Sequence, residues 1–286
     1  MKNILEVDRL CKKYRGFELK DVSFRIPGGS IMGFIGENGA GKTTTIKLIL
    51  NQFPRDSGAV RVFGLDNRTD GKKIKGQVGA VFDECYFPGE FKTADVEKML
   101  RCFYQTWDAG LYRSLLSKFR LPGSTPVKDF SRGMRMKLSI AAALTHRPKL
   151  LLLDEATSGL DPVVRSEILD LLLEFIQDEE HAVLLSTHIT SDLEHVADYV
   201  TFLHDGQVVF SESKDDLADS YGILKCGKED FARVDRALLL RTRQSRFECE
   251  ALVRNRRAVM RAYPKLVVDR ASIEDIMVFY GKGDPQ

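Results

Sequence analysis

The sequence predicts an α/β fold around a mainly parallel sheet, because short apolar runs alternate with segments of helical spacing. The run Ile31–Ile35 is followed by a glycine-rich loop and then by the helical pattern TTTIKLIL. A second run, LLLL at residues 150–153, lies between polar stretches and fits a central strand that is buried on both faces. These observations predict a strand–loop–helix unit beside a buried parallel strand.

The remaining elements extend this pattern in both directions. ILEVDRL and KDVSFRI are predicted to form an antiparallel edge sheet ahead of the glycine-rich loop. Residues 84–147 lack long β runs, and the helical spacing in VEKMLRCFYQTW and LYRSLLSKFRL predicts an inserted helical subdomain. Strand–helix alternation then resumes, and Asp205–Gly206 predicts a hairpin turn.

The chain is predicted to divide into a main domain over residues 1–212 and a small α/β extension over residues 213–286. In the extension, EDFARVDRALLL and SIEDIMVFYG have helical spacing, whereas RQSRFECEALV alternates like a strand. Arginine is dense between Arg233 and Arg261. This stretch is interpreted as a solvated face, and contact with an anionic membrane leaflet or an acidic partner stays open.

Residues 36–44, GENGAGKTT, fit the phosphate-loop pattern G-x-x-x-x-G-K-[ST]. Glycine lets backbone N–H groups converge on phosphate oxygens, and the following helix turns its positive end toward the anion. Lys42 is expected to reach the β- and γ-phosphates, and the Thr43 hydroxyl to complete a magnesium shell. The residues predicted to hold the nucleotide here are Gly36, Asn38, Gly39, Ala40, Gly41, Lys42, Thr43 and Thr44.

The apolar run at 150–153 ends in two adjacent carboxylates, Asp154 and Glu155. Open α/β sheets bind ligands at the carboxyl ends of their strands, so Asp154 is predicted to hold Mg²⁺. Glu155, one residue further, is predicted to take a proton from an attacking water. Such a pair alone could be an ordinary acidic strand end. Together with the phosphate loop it predicts hydrolysis of a nucleotide, with ATP and Mg²⁺ as the bound groups.

Three further strings narrow the class: FSRGMRMKLSIAAAL from Phe130, SGLD at residues 158–161, and STH ending at His188. With these motifs in order over residues 3–212, the sequence resembles the ATP-binding subunit of ATP-binding cassette (ABC) transporters. The resemblance gives Lys42, Glu155 and His188 catalytic roles, with His188 bonded to the γ-phosphate, although a lone histidine after a strand is often structural. It adds to the nucleotide contacts Tyr14, on adenine, and Ser131, Gly133 and Asp161.

The resemblance also implies partners. Such a subunit pairs head to tail with a second copy of itself or with a sibling subunit, and each ATP lies between the phosphate loop of one and the signature segment of the other. Ser131 and Gly133 precede a helical pattern, so their hydroxyl and N–H groups could cap a γ-phosphate across that interface. A separate transmembrane permease subunit would complete the transporter. The SRGM form of the signature resembles the branch of bacterial drug and antibiotic-peptide exporters.

Two segments bear on the metal and on the permease. The family usually has a glutamine after the strand VGAVF, where this chain has Asp83. Asp83 could bind Mg²⁺ or its water, but it adds negative charge beside the nucleotide, so stronger metal dependence is expected. The following aromatic loop ECYFPGEF, with Tyr86, Phe87 and Phe91, either packs on its own subdomain or, as the resemblance implies, grips a permease helix.

Composition sets limits on the class of protein. Lys plus Arg (43) nearly balance Asp plus Glu (41), so no nucleic-acid partner is expected. No apolar run approaches the roughly 18–20 residues that span a bilayer, and five scattered cysteines favour a reducing compartment. The expected location is the cytoplasm, peripheral on the inner membrane face through the permease. A non-transport ABC-type ATPase and an ATP-binding module with weak hydrolysis stay open as alternatives.

Overall fold

The computed structural model describes residues 2–244 and 248–285 and confirms the α/β class. The strands are β1 (Asn3–Tyr14), β2 (Phe17–Pro27), β3 (Ser30–Ile35), β4 (Ser57–Val62), β5 (Leu65–Asp66), β6 (Val78–Val81), β7 (Leu150–Asp154), β8 (Ala182–Ser186), β9 (Tyr199–His204), β10 (Gln207–Ser213), β11 (Gly222–Cys226), β12 (Leu239–Gln244), β13 (Cys249–Val253), β14 (Val267–Arg270) and β15 (Asp284–Pro285). The helices are α1 (Lys42–Ile49), α2 (Gly71–Lys75), α3 (Thr93–Arg101), α4 (Ala109–Lys118), α5 (Arg132–Thr145), α6 (Pro162–Phe175), α7 (Thr190–Val196), α8 (Lys214–Ser220), α9 (Lys228–Phe231), α10 (Arg256–Ala262) and α11 (Ile273–Lys282).

A six-stranded sheet in the order β10-β9-β3-β8-β7-β6 carries the phosphate-loop unit. Strand β3 runs parallel to β8 and β9, and β7 runs parallel to β8 and β6. Every residue of β3, β7 and β8 is buried, as predicted for strands covered on both faces. Because these strands are parallel, their carboxyl ends meet at one edge, where Asp154 lies opposite Ser186. The predicted hairpin between β9 and β10 is confirmed, with positive φ at Asp205 and Gly206.

A four-stranded sheet in the order β2-β1-β4-β5 confirms the predicted antiparallel edge sheet. Apolar side chains of β1, β2 and β4 share one core cluster with those of β3, β7 and β8. The rings of Phe24 on β2 and Phe34 on β3, with centroids 5.3 Å apart, join the two sheets. This core fixes the strand ends that carry the phosphate loop and the acidic pair.

Between β6 and β7 the chain forms the helices α3, α4 and α5. Helix α3 ends at Arg101, although the sequence pattern predicted helix as far as Trp107. The N–H groups of Cys102 and Phe103 bond to carbonyls only three residues back, which tightens and ends the helix. The side chain of Phe103 is then left 75% exposed.

The chain divides into two compact units, one up to Ser211 and one from Glu212. The second unit contains an antiparallel sheet in the order β14-β11-β13-β12-β15. The predicted helix over EDFARVDRALLL is wrong, because only α9 and a 3-10 turn (Arg236–Leu238) form before β12 pairs with β13. Of the predicted alternating segment RQSRFECEALV, residues 245–247 lie outside the described residues.

Arginines of the arginine-dense stretch form ion pairs within their own unit. The guanidinium groups of Arg254 and Arg257 pair with Glu212 at 2.6 Å and Asp219 at 2.7 Å. These contacts support the solvated-face interpretation. None of the helices within residues 2–244 and 248–285 is both long enough and apolar enough to span a bilayer.

Candidate nucleotide-hydrolysis site

The phosphate loop joins the end of β3 to the start of α1. Gly39 and Gly41 have φ values of 87° and 111°, in the left-handed region that favours glycine. At Gly36 an added Cβ would lie 2.3 Å from the carbonyl oxygen of Leu203, so no side chain fits there. Helix α1 has neither a side-chain cap nor an acidic residue in its first turn, so no side chain competes with an anion for its N–H groups.

The other residues predicted to bind nucleotide in the loop differ in solvent exposure. Asn38 and Thr43 are exposed, Thr44 is half-buried and Ala40 is buried. The exposed residues therefore lie on the side from which a nucleotide would enter, whereas Ala40 belongs to the core cluster beneath the loop.

The Lys42 ammonium lies inside the phosphate loop although its side chain is only 5% exposed. Its Nζ donates to the carbonyl oxygens of Gly36 at 2.7 Å and Glu37 at 3.3 Å. Nζ also lies 3.5 Å from Oε1 of Glu155, and this ion pair links the loop to the acidic end of β7. The positive charge of Lys42, which would bind a phosphate, is thus held by carbonyl and carboxylate oxygens of the protein itself.

Asp154 ends β7 with its side chain almost fully buried. Burial raises its pKa most strongly, the hydroxyl groups of Thr43 and Ser186 lower it, and the charges of Glu155 and Asp83 raise it again. Its Oδ1 atom is buried and has no hydrogen-bond partner among the described residues. A buried carboxylate with an unpartnered oxygen beside a threonine hydroxyl fits a hard cation such as Mg²⁺.

Asp83 lies just past the end of β6, with an exposed side chain. Strand β6 ends at Val81, so the predicted strand VGAVF is one residue too long. Asp83 is still near enough for its charge to raise the pKa of Asp154. Within the described part of the chain, no three His, Cys, Asp or Glu side chains form a metal cluster of their own.

Glu155 connects Lys42 to His188. Its Oε2 accepts a hydrogen bond from Nδ1 of His188 at 2.7 Å, while Oε1 faces Lys42. The Glu155 backbone is left-handed, with φ of 53°, and its N–H donates to the carbonyl of Ser186 on β8. The structure thus brings together the three side chains predicted to be catalytic, and the histidine is bonded to the carboxylate rather than held apart for a phosphate.

Ser131, Gly133 and Asp161 lie at helix N-termini. Ser131 caps α5, where its Oγ accepts from the N–H of Met134 at 3.2 Å. Asp161 caps α6 through the N–H groups of Val163 and Val164, both at 3.1 Å. Among the described residues, no hydrogen bond or ion pair joins these three to the phosphate loop of the same chain.

Tyr14, the residue predicted to stack on adenine, ends β1 and is 40% exposed. The Lys12 ammonium lies 5.5 Å from its ring centroid. A different aromatic residue contacts the phosphate loop: a Cβ built on Gly41 would lie 2.8 Å from Cζ of Phe17. Sequence reasoning missed Phe17, which directly follows the two-residue turn after Tyr14.

The sequence matches the family described as ABC transporter over residues 19–158. A putative ABC transporter ATP-binding protein of Mycoplasma pneumoniae is 34% identical over 244 residues, which cover 80% of this chain and 73% of that protein. The chain belongs to the ATP-binding subunits of ABC transporters. It is an ATPase of that class, as the paired phosphate loop and acidic strand end predicted.

Three further comparisons bear on this assignment. The ABC ATPase is 32% identical to a lantibiotic transport ATP-binding protein of Streptococcus pyogenes, over 74% of this chain and 92% of that one. A solved ATP-binding subunit of an ABC transporter is 29% identical and superimposes with a TM-score of 0.69, covering 75% of this chain and 91% of that chain. A dimeric ATP-binding cassette in a post-hydrolysis state, with ADP and phosphate bound, is 22% identical and superimposes with a TM-score of 0.66. The match covers 73% of this chain and 98% of that chain, and it shows the fold alone.

Two surface features of the ABC ATPase complete the site. The guanidinium of Arg132 lies against the SGLD loop: a Cβ built on Gly159 would be 3.0 Å from its Nη1. Sequence reasoning did not predict this contact. A groove of about 360 Å³ runs between the end of β6 and the helices α3 and α5. Phe82, Tyr86 and Phe87 line it, and Tyr86 is 71% exposed.

Proposed function

We propose that this ABC ATPase energises an exporter by hydrolysing Mg²⁺-bound ATP between two head-to-tail copies of the cassette coupled to a separate membrane subunit. The observation that carries this proposal is the contact series from Lys42 through Glu155 to His188 at the mouth of the phosphate loop. It joins the group that would hold the phosphates to the group that would activate water.

Each side chain would have a distinct role in hydrolysis. Lys42 would leave the loop carbonyls and Glu155 to hold the terminal phosphates. Glu155 would then accept the proton of the attacking water, a role that contributes roughly 10²–10⁴-fold in rate. His188 orients the Glu155 carboxylate in the structure and would turn to the γ-phosphate when nucleotide is bound.

Thr43, Asp154 and Asp83 are the residues that would hold the metal. The Oδ1 atom of Asp154 supports this assignment, since a bound cation would give it the partner that it lacks among the described residues. Mg²⁺, when bound there, would supply positive charge that offsets the negative charge developing on the phosphates. Asp83 brings a second negative charge toward the same point, so metal binding should be stronger and more necessary than with a glutamine.

A second cassette would complete the nucleotide site. Ser131, Gly133 and Asp161 have no bond to the phosphate loop of their own chain, which supports their serving the nucleotide of a partner copy. The helix α5 starts at Arg132 with Ser131 as its cap, so its first N–H groups could meet a γ-phosphate across the interface.

The aromatic groove is the proposed contact with a membrane subunit. Tyr86 is exposed at its rim, and its ring packs edge-on against Phe82 at 6.1 Å between centroids. A large exposed aromatic side chain beside an apolar groove is a typical anchor for a partner helix. The groove starts where β6 ends, two residues from Asp83, so a helix seated there would lie next to the metal site. Export is supported by the lantibiotic and bacitracin transport ATP-binding proteins among its relatives.

Affinity purification from membranes in mild detergent tests this coupling. The unaltered chain is expected to retain an integral-membrane protein, and Tyr86→Asp is expected to lose it while keeping its own ATPase activity. Phe53→Asp is the matched control, because Phe53 is also an exposed aromatic residue, 46% accessible, and does not line the groove. Retention of the membrane protein by Tyr86→Asp would contradict the groove as the contact. Recovery of soluble partners alone would favour a non-transport ATPase.

A further inference from the structure

Two of the five cysteines, which are scattered along the sequence, meet in the sheet of the second unit. Strands β11 and β13 pair antiparallel, and the register places Cys226 directly opposite Cys249. Both thiols are free. The two strands are neighbours in the interior of the sheet order β14-β11-β13-β12-β15, so their pairing is held by strands on both sides.

The register gives these two residues the geometry that a disulfide needs. Residues directly opposite in antiparallel strands have Cα atoms about 4.5–5.5 Å apart and side chains on the same face of the sheet. Disulfides form between Cα atoms about 4.4–6.8 Å apart. The Cα separation expected from this register therefore lies within the range found for disulfides.

The surroundings of the pair distinguish the two thiols. Cys249 is 1% exposed and lines a cavity of about 350 Å³ beside Phe231 and Leu239, whereas Cys226 is partly exposed. Burial raises the pKa of Cys226, and the Cys249 thiol next to it raises it further. The pair is thus distinguished by its direct opposition in the sheet and not by a lowered pKa of Cys226.

We propose that Cys226 and Cys249 form a dithiol modification site, which a low-molecular-weight disulfide converts to an intrachain disulfide across β11 and β13. The more accessible Cys226 sulfur, as its thiolate, attacks one sulfur of the small disulfide, forms a mixed disulfide and releases one small thiol. The Cys249 sulfur then attacks Cys226 Sγ, and the second small thiol leaves. The protein dithiol is oxidised, the small disulfide is reduced, and the two protein protons end on the two released thiols.

Peptide mapping of the folded chain after incubation with oxidised glutathione tests the proposal. The Cys226–Cys249 linkage is expected in about tenfold excess over any other pairing, because the strand register holds this pair together. The same treatment in concentrated urea should remove that preference. Cys102→Ser, which alters an exposed cysteine, should leave the linkage unchanged.

A single substitution tests whether oxidation of Cys249 requires Cys226. Cys226→Ala is preferred to a change at the buried Cys249, since it disturbs less packing. It should leave Cys249 reduced on the monomer. Two free thiols at positions 226 and 249 in the treated wild-type chain would overturn the proposal, and so would disulfide-linked dimers as the main product.

Discussion

Replacing Glu155 by glutamine separates the base role proposed for this carboxylate from its ion pair with Lys42. The amide cannot accept a proton from water, so turnover should fall by roughly 10²–10⁴-fold, the usual contribution of a positioned base. The same change removes the negative charge that lies 3.5 Å from the Lys42 ammonium. ATP binding should therefore become easier while hydrolysis becomes slower.

The size of the second effect follows from the ion pair. The Lys42 and Glu155 side chains are 5% and 17% exposed, so solvent screens them little. Two unit charges 3.5 Å apart have a Coulomb energy of roughly 5 kcal/mol at an effective dielectric constant of about 20. Desolvation of both groups offsets most of that, which leaves about 1–2 kcal/mol. ATP must displace this interaction, and its removal should tighten ATP binding by roughly 5–30-fold.

Phosphate release and calorimetric titration with ATP measure the two quantities separately. The variant should also accumulate as a nucleotide-bound dimer, detectable by gel filtration. Glu229→Gln is a suitable control, because it removes an exposed carboxylate from the other unit. Turnover close to that of the unaltered protein would remove Glu155 from the base role. Unchanged ATP affinity would show that the contact with Lys42 does not oppose nucleotide binding.

Three further changes test the remaining side chains. Lys42→Ala should weaken ATP binding itself, and equal affinity in a titration would place the lysine outside the phosphate contacts. Asp83→Gln should shift the magnesium dependence of ATPase activity, whereas superimposable titration curves would show that the extra carboxylate has no part in metal binding. Asp154→Asn should abolish metal-dependent turnover yet stabilise the nucleotide-free fold at about pH 7. Because burial raises the pKa of Asp154, the folded chain binds this proton more tightly than the unfolded chain does. The ionised carboxylate therefore lowers stability above the unfolded pKa of about 4, and the gain in melting temperature should vanish on acidification toward that pH.

The phosphate loop and the acidic strand end could be predicted because their signals are local. The apolar run of β3, the glycines after it and the helical spacing of α1 are contiguous, and each agrees with its neighbours. The same holds for β7, whose burial on both faces follows from its apolar run. The contact of Glu155 with Lys42 and His188 then follows from the parallel order of the strands.

Features that depend on distant pairing were missed. The helical spacing around Leu239 is real, but pairing with β13 makes residues 239–244 a strand. The meeting of Cys226 and Cys249 depends on the register of β11 with β13 in the same sheet, which no local pattern encodes. The contact of Phe17 with Gly41 likewise depends on how the edge sheet packs beside the loop, a property of the tertiary structure.

The left-handed backbone at Glu155 has a consequence for how this protein would respond to selection. Most residues other than glycine are disfavoured at φ of 53°, by a free energy on the order of 1 kcal/mol. Glycine adopts that conformation freely, and asparagine tolerates it better than most other residues do. Selection for thermal stability alone would therefore favour those two residues at this position. The base role proposed for Glu155 would require glutamate there, so thermal stability and catalysis would make opposite demands on this residue.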